Sequence, residues 1–381
     1  MRSILRASWT ILCLPLTFAY IISSLSPFIP PRTISSVSVL GLGFPYIFAL
    51  YFICMILSLR RHRKLAIIMM FLLPFGIYNA IHTFALRPSH DWVTAKDSTT
   101  LRVMTWNVQG FANYLRRKKS KAAYRTNKAE MLATIDEMHP DVLCMQEYRN
   151  IENAKRRTPI RRELDSLGFK YFYTSKDRAG AYPKNPSVWL EEGVAIYSRY
   201  PIIDSGKVCI NAAYESDTEN LIHADILFNG KPVRIFTAHL ESFTIYSDTA
   251  GKMTKGENIY EITYEKRRDA QYKIQETEIK HQAEVNVIRQ ELDKSPNAVI
   301  YCGDMNITPS SYTYRYLRGN DLQDAFLEKG SGIGNTFYKI GPTLRIDYIL
   351  PEKDFEVTQC QRIAEKLSDH YPVVADMKWN H

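Results

Sequence analysis

The sequence predicts a membrane anchor of three apolar helices followed by one large α/β or α+β domain. Three observations predict it. The first hundred residues carry long apolar stretches free of acidic side chains. From Leu101 onward, short apolar runs alternate with helical patterns between Pro, Gly and Asn, as strands and helices around one core do. The apolar runs of this second part also end repeatedly in Asn, Glu, His or Asp. The expected boundaries are an anchor at 1–87, a linker at 88–100 and a domain at 101–381.

The apolar stretches run from Ser8 to Ile29, Ile34 to Leu59 and Leu65 to Leu86. A helix crosses the hydrocarbon core with about 20 residues, and each stretch is long enough. Pro45 and Pro74 fall inside two of them, which neighbouring helices make tolerable in a membrane. Bases gather at Arg2, Arg6 and "RRHRK" (60–64), whereas the link between the first two stretches carries Arg32 alone. The positive-inside rule places the N-terminus and "RRHRK" in the cytoplasm, so the chain after Leu86 emerges on the far side. In a bacterium this means the inner membrane, with the domain in the periplasm.

The net charge is +9, but residues 101–381 hold 40 bases and 38 acids. The basic character belongs mostly to the anchor and does not point to a nucleic-acid partner. Of the six cysteines, Cys13 and Cys54 lie in apolar segments, and Cys144, Cys209, Cys302 and Cys360 stand singly. With no CxxC or Cys/His ligand spacing, they read as buried free thiols.

In the second part, "LRVMTWNVQG" is a short strand ending at Asn107. "RTNKAEMLATIDEM" is a helix, and Pro140 separates it from a buried strand that ends in Gln146 and Glu147. "EEGVAIYSRYPI" and "KPVRIFTAHLES" are strands, the first opening with Glu192, the second ending in His239. "HQAEVNVIRQELDKS" is a helix, followed by the strand "NAVIYCGD". "TLRIDYILP" is a strand carrying Asp347, and Asp369–His370 opens the last one. Asp304 and Asn306 are two residues apart, so in an extended chain they would face one spot. Gly303, Asp304 and Asn306 are equally the residues of a turn.

Taken in order, "TWNVQG", "DVLCMQEY", "EEGVAIYSR", "TAHLES", "YCGDMNITP", "RIDYIL" and "SDHYPV" resemble the motifs of the endonuclease/exonuclease/phosphatase superfamily. This group includes pancreatic-type deoxyribonucleases, abasic-site endonucleases, inositol polyphosphate 5-phosphatases and bacterial sphingomyelinases. The resemblance spans Leu101 to Val374. It implies a four-layer α/β sandwich, two packed β-sheets with helices outside. It implies a metal site at Glu147, Asn107 and Asp369, usually for Mg²⁺ with Mn²⁺ as a substitute. It further implies that Asp304 orients or deprotonates the attacking water and that Asn306 helps to hold it. By the same resemblance His239 contacts the phosphate or leaving oxygen, Glu192 orients that histidine, and Asp347 pairs with His370.

The residue types suit that chemistry. Mg²⁺ takes hard oxygen ligands and neutralises charge on phosphate. Water needs a positioned base at neutral pH. A histidine held by a carboxylate keeps its orientation and favours its cation. The expected function is a membrane-anchored phosphoesterase acting on nucleic acid or a lipid headgroup, with no protein partner marked in the sequence. The alternative is a non-catalytic binding module that keeps the fold. "YLRRKKSKAAYR" and "KRRTPIRR" read as polyanion-binding runs or solvated faces, and the long polar segment after His239 as an insertion.

Overall fold

We describe the protein from a computed structural model covering residues 2–88, 91–112, 121–153, 159–182, 185–210, 220–243 and 259–380. The chain divides into two units. The first comprises Met1–Phe84, Glu241–Val285 and Ile307–Leu317, and the second Ala85–Leu240, Asn286–Asn306 and Arg318–His381.

The first unit begins with α1 (Arg2–Leu25), α2 (Ser35–Leu42), α3 (Phe44–Arg61), α4 (Arg63–Leu72) and α5 (Ile77–Thr83). Trp9–Phe28 and Arg63–Thr83 are long and apolar enough to cross a membrane. The middle apolar stretch departs from the expected single helix, because α2 and α3 meet at a bend of 67°. Gly43 sits at the break and Pro45 lies in the first turn of α3, where a missing N–H breaks no helical hydrogen bond. The structure therefore holds two candidate spans, or three if the bent pair acts as one.

Pro74 interrupts the last stretch with a 3-10 turn at Leu73–Gly76. Tyr20 bridges this break. Its hydroxyl donates to the Leu73 carbonyl at 2.6 Å and accepts from the Gly76 N–H at 3.0 Å. A Cβ on Gly76 would lie 2.3 Å from the Tyr20 hydroxyl oxygen, so this close approach requires glycine. Tyr20 also stacks on Tyr51 at 4.0 Å between ring centroids, within a core that includes Cys13, Phe44 and Met69.

Residues 259–293 form one helix of 35 residues. The sequence suggested an insertion followed by a shorter helix, but no Pro or Gly interrupts the chain from Ile259 to Asp293. Residues 244–258 of the insertion lie outside the described residues, as do 114–120 and 155–158 of the two basic runs. Arg161, at the end of the second run, ion-pairs with Glu191 at 2.9 Å and lies over the Phe172 ring. That basic side chain serves the fold.

The second unit is built on two mixed sheets. One orders β11 (Phe355–Arg362), β12 (Val373–Trp379), β1 (Leu101–Asn107), β2 (Val142–Asn153), β5 (Asn185–Ser198) and β3 (Tyr171–Thr174), with β4 (Arg178–Tyr182) also on β5. The other orders β10 (Asp347–Pro351), β9 (Ala298–Asp304), β8 (Lys231–His239), β7 (Asn220–Phe228) and β6 (Ile202–Cys209). Each has one parallel pair, β1 with β2 and β8 with β9. Val103, Cys144, Ile196, Ile235, Ile300 and Ile349 belong to the core between the sheets. A second core, with Trp106, Met131, Ile135, Leu143 and Leu164, packs the helices Lys121–Met138 and Ile160–Ser166 on the outer face of the larger sheet. Two packed sheets flanked by helices is the architecture that the motif order implied.

In the segment read as a linker, Arg102 donates to the carbonyls of Val93 at 3.2 Å and Thr94 at 2.9 Å and lies over the Trp92 ring. One expectation is corrected here. The cysteines are free, but Cys209 is exposed rather than buried.

Candidate active site

The polar strand ends meet along one edge of the sandwich. His239, Asp304 and Asp347 are register neighbours on β8, β9 and β10. Asn107 closes β1 opposite Gln146 of β2. Gly303 permits the close approach of β8 and β9, since a Cβ there would lie 2.3 Å from the Ala238 carbonyl oxygen. Glu147 comes forward through a bulge between Met145 and Tyr148, with a left-handed backbone at φ 49°. The bulge leaves Gln146 buried, where it donates to Thr105 at 3.1 Å and Thr237 at 2.9 Å. Glu147 is exposed.

Asn107 joins the two sheets' carboxylates. Its Nδ2 donates to Glu147 Oε1 at 3.1 Å and to Asp304 Oδ2 at 3.0 Å. Its Oδ1 accepts from the Gln109 N–H at 3.1 Å, and Gln109 Nε2 donates to Asp369 at 2.8 Å. Sequence reasoning missed Gln109, although it stands two residues after Asn107, the spacing that drew attention to Asp304 and Asn306.

Asp304 and Asn306 do converge, but not through extended backbone. Asn306 has φ 50° and its N–H donates to Asp304 Oδ1 at 3.0 Å. The backbone makes the turn that the sequence offered, and that turn brings the two side chains together. Asn306 Nδ2 lies 2.9 Å from the Leu240 carbonyl and 3.2 Å from His239 Nε2. Asp304 Oδ2 lies 3.6 Å from His239 Nε2 and 3.5 Å from His370 Nε2.

His370 Nδ1 lies 2.9 Å from Asp347 Oδ2. Burial alone would lower the His370 pKa, but Asp347, Asp304 and Asp369 outweigh it and push it up to about 10. The ring is therefore cationic at neutral pH. Burial raises the Asp347 carboxyl, with the His370 charge acting against it.

Glu192 pairs with Arg149 and, at 3.3 Å, with Arg178. A different acid, Asp177, lies close enough to His239 for their charges to interact, and burial raises its carboxyl. Gly193 makes room for it, since a Cβ there would meet Asp177 Oδ2 at 2.6 Å. Glu147, Asp177, Arg178, Glu192 and His239 line an open cleft of about 290 Å³. Nothing in "TSKDRAG" distinguished Asp177 or Arg178 from an ordinary polar turn.

The side chains around Asn107 carry the hard oxygen donors that a divalent cation takes. Glu147, Asp304 and Asp369 offer carboxylate oxygens. Among the described residues no lysine or arginine lies within ion-pair distance of these three. Among the described residues, Asp304, Asp347 and His370 are the group whose ligand atoms lie close enough together to hold a cation.

Carboxylates and histidines gather at one edge of the two-sheet sandwich. Residues 104–370 match the Endonuclease/Exonuclease/phosphatase family, and the chain belongs to it. The protein is thus a phosphoester hydrolase, of a kind that is typically metal-dependent. Residues 3–84 match a Domain of unknown function (DUF8431). Among solved structures, a family protein from Bacteroides thetaiotaomicron is similar at 13% identity and TM-score 0.52, over 74% of this chain and 99% of that one. The human Nocturnin catalytic domain with bound sulfate anion is similar at 20% identity and TM-score 0.50, over 74% and 94%. An endonuclease/exonuclease/phosphatase from Beutenbergia cavernae is similar at 17% and 0.50, over 74% and 72%. At these identities the likeness is one of fold.

Proposed function

We propose that the protein is a membrane-anchored, Mg²⁺-dependent phosphodiesterase whose substrate is a nucleic acid or a lipid headgroup. The observation that carries this reading is the Asn107 bridge, which sets the exposed Glu147 beside the buried Asp304. Glu147, Asn107 and Asp369 would hold the metal. A bound Mg²⁺ supplies charge neutralisation at the phosphate.

The chain's own groups do the rest. Asp304, fixed by Asn107 and the Asn306 N–H, takes a proton from water. The water oxygen bonds phosphorus as the bond to the leaving oxygen breaks. His370, cationic and held by Asp347, donates to a phosphate oxygen. His239 reaches the leaving oxygen and supplies its proton. The apolar N-terminal spans, which leave Phe18, Ile11 and Phe71 exposed, anchor the chain in the membrane.

The test uses the full chain in detergent micelles with Mg²⁺, offered DNA, RNA, sphingomyelin, phosphatidylinositol and a chromogenic phosphodiester. Metal-dependent cleavage of one class is expected, with Asp304→Asn slower by about 10²–10⁴-fold. Equal rates for Asp304→Asn and the parent would overturn the assignment of the base.

A further inference from the structure

Both catalytic strand ends run directly into the first unit. His239 and Leu240 close β8, and Glu241 belongs to the first unit. Asn306 follows β9, and Ile307–Leu317 belongs to the first unit. What fixes Glu241 and Ile307–Leu317 inside that unit therefore acts on the chain one to a few residues from His239 and Asn306.

The fixing contacts are buried and specific. Ser310 donates through its hydroxyl to the Gly41 carbonyl at 2.9 Å, at the end of α2. Its own carbonyl accepts from the Ser26 hydroxyl, after α1, at 2.5 Å. Ser26, Gly41 and Ser310 are all buried. A Cβ on Gly41 would lie 2.5 Å from Ser26 Oγ and 3.2 Å from the Ser310 carbonyl oxygen, so the junction admits no larger residue. Arg315 lies over the Phe28 ring, and His82 meets Tyr314 edge-on. At the other strand end the Glu241 carbonyl lies 2.6 Å from His281 Nε2, and its N–H donates to Glu284 at 3.4 Å.

We propose that Ser310, clasped by Ser26 and Gly41, is a positioning residue for catalysis, and that the N-terminal helices are a working part of the enzyme rather than a passive tether. The inference rests on the hydrolase reading above. The physical reason is short covalent leverage. Asn306 sits in a left-handed turn, with its N–H on Asp304 and its Nδ2 on the Leu240 carbonyl, and Ser310 ends the four-residue run that follows it. A displacement on the order of 1 Å in a catalytic group costs about 10²-fold in rate.

Two measurements on the full chain in lipid nanodiscs test it. First, a protease site is inserted between Pro88 and Asp91 and cut. The clasp predicts that the fragment carrying the sandwich stays with the N-terminal helices, since Glu241–Val285 and Ile307–Leu317 remain packed with them. Release of that fragment would overturn the proposal, whether or not any substrate is turned over. Second, Ser310→Ala and Gly41→Val are compared with the parent on the chromogenic phosphodiester. We expect kcat to fall by about tenfold or more, with KM and Mn²⁺ affinity unchanged, and Ser310→Thr, which keeps the hydroxyl, to recover most of it. Unchanged kcat in both variants, or an equal loss in Ser310→Thr, would overturn the positioning role. A parent chain that stays together after cutting yet cleaves nothing would instead refute the hydrolase reading.

Discussion

The two units differ in the polar groups they bury and in the apolar side chains they expose. In the sandwich, Val103, Ile196, Ile235 and Ile300 are inside and the charged groups stand at the strand ends. In the N-terminal helices, Ser23, Ser24, Ser26, Ser58 and Asn79 are inside, while Phe71 is 76% and Ile11 68% exposed. Under the anchor reading, the contrast follows from lipid around the helices and water around the sandwich. Water drives apolar surface inward. In lipid that drive is absent, so small residues that allow close approach and polar ones that bond across helices take the interior. Asn79 does this with the Ser23 carbonyl at 2.9 Å, and Trp9 with the Ser58 hydroxyl at 2.9 Å.

The comparison breaks first at the sandwich's buried charges. Arg102 is fully buried and grips Asp376 through two bonds, at 2.7 and 2.8 Å. Its remaining donors hold the Val93, Thr94 and Met138 carbonyls. Arg102→Met should cost about 3–5 kcal/mol, because it leaves Asp376 buried without its cation. Denaturant unfolding followed by sandwich tryptophan fluorescence reads this directly. A loss below about 1 kcal/mol would mean that water reaches Asp376 and that the interior is less dry than its burial indicates.

Surface substitutions sharpen the contrast next. Phe71→Asp places a charge on the outside of α4, and under the anchor reading it should oppose insertion by about 2.5–3.5 kcal/mol. The membrane-inserted fraction should drop accordingly. Ile203→Asp is the matching change on the sandwich, where Ile203 is 58% exposed, and it should shift stability by no more than about 0.5 kcal/mol. Equal behaviour of the two variants would argue that both surfaces face water.

These differences explain what could be read in the sequence. The strand ends were legible because the fold brings parallel and antiparallel ends to one edge, so Asn107, His239, Asp304 and Asp347 each follow or open an apolar run. Their roles came from motif order, not from spacing. The partners of Glu192 were not legible, since a bulge and a three-strand pairing of β2, β5 and β4 decide which acid faces which base. Asp177 was invisible for the same reason. The bend at Gly43 was not legible, because Pro45 reads equally as a residue tolerated within one span. Nor was the membership of Ile307–Leu317 in the helical unit, because the Ser310 clasp joins residues about 270 apart in sequence through backbone carbonyls, which no side-chain pattern records.

The smallest expected effect tests the helical unit's own exception. Glu278, on the long helix, is fully buried, and neither of its carboxylate oxygens has a hydrogen-bond partner among the described residues. Burial pushes its pKa up to about 8 from 4.5. A carboxyl raised on folding binds its proton more tightly in the folded state. Its contribution is therefore fully present below about pH 4.5, is lost as pH rises towards 8 and levels off beyond. Glu278→Gln keeps the shape and removes the titration. The variant should melt close to the parent at about pH 5 and above it at about pH 8.5, by on the order of 1–3 kcal/mol. A pH-independent difference would show that Glu278 is solvated or paired in the membrane-bound protein. A difference that grows with pH would show that this unit tolerates a buried acid only as its neutral form.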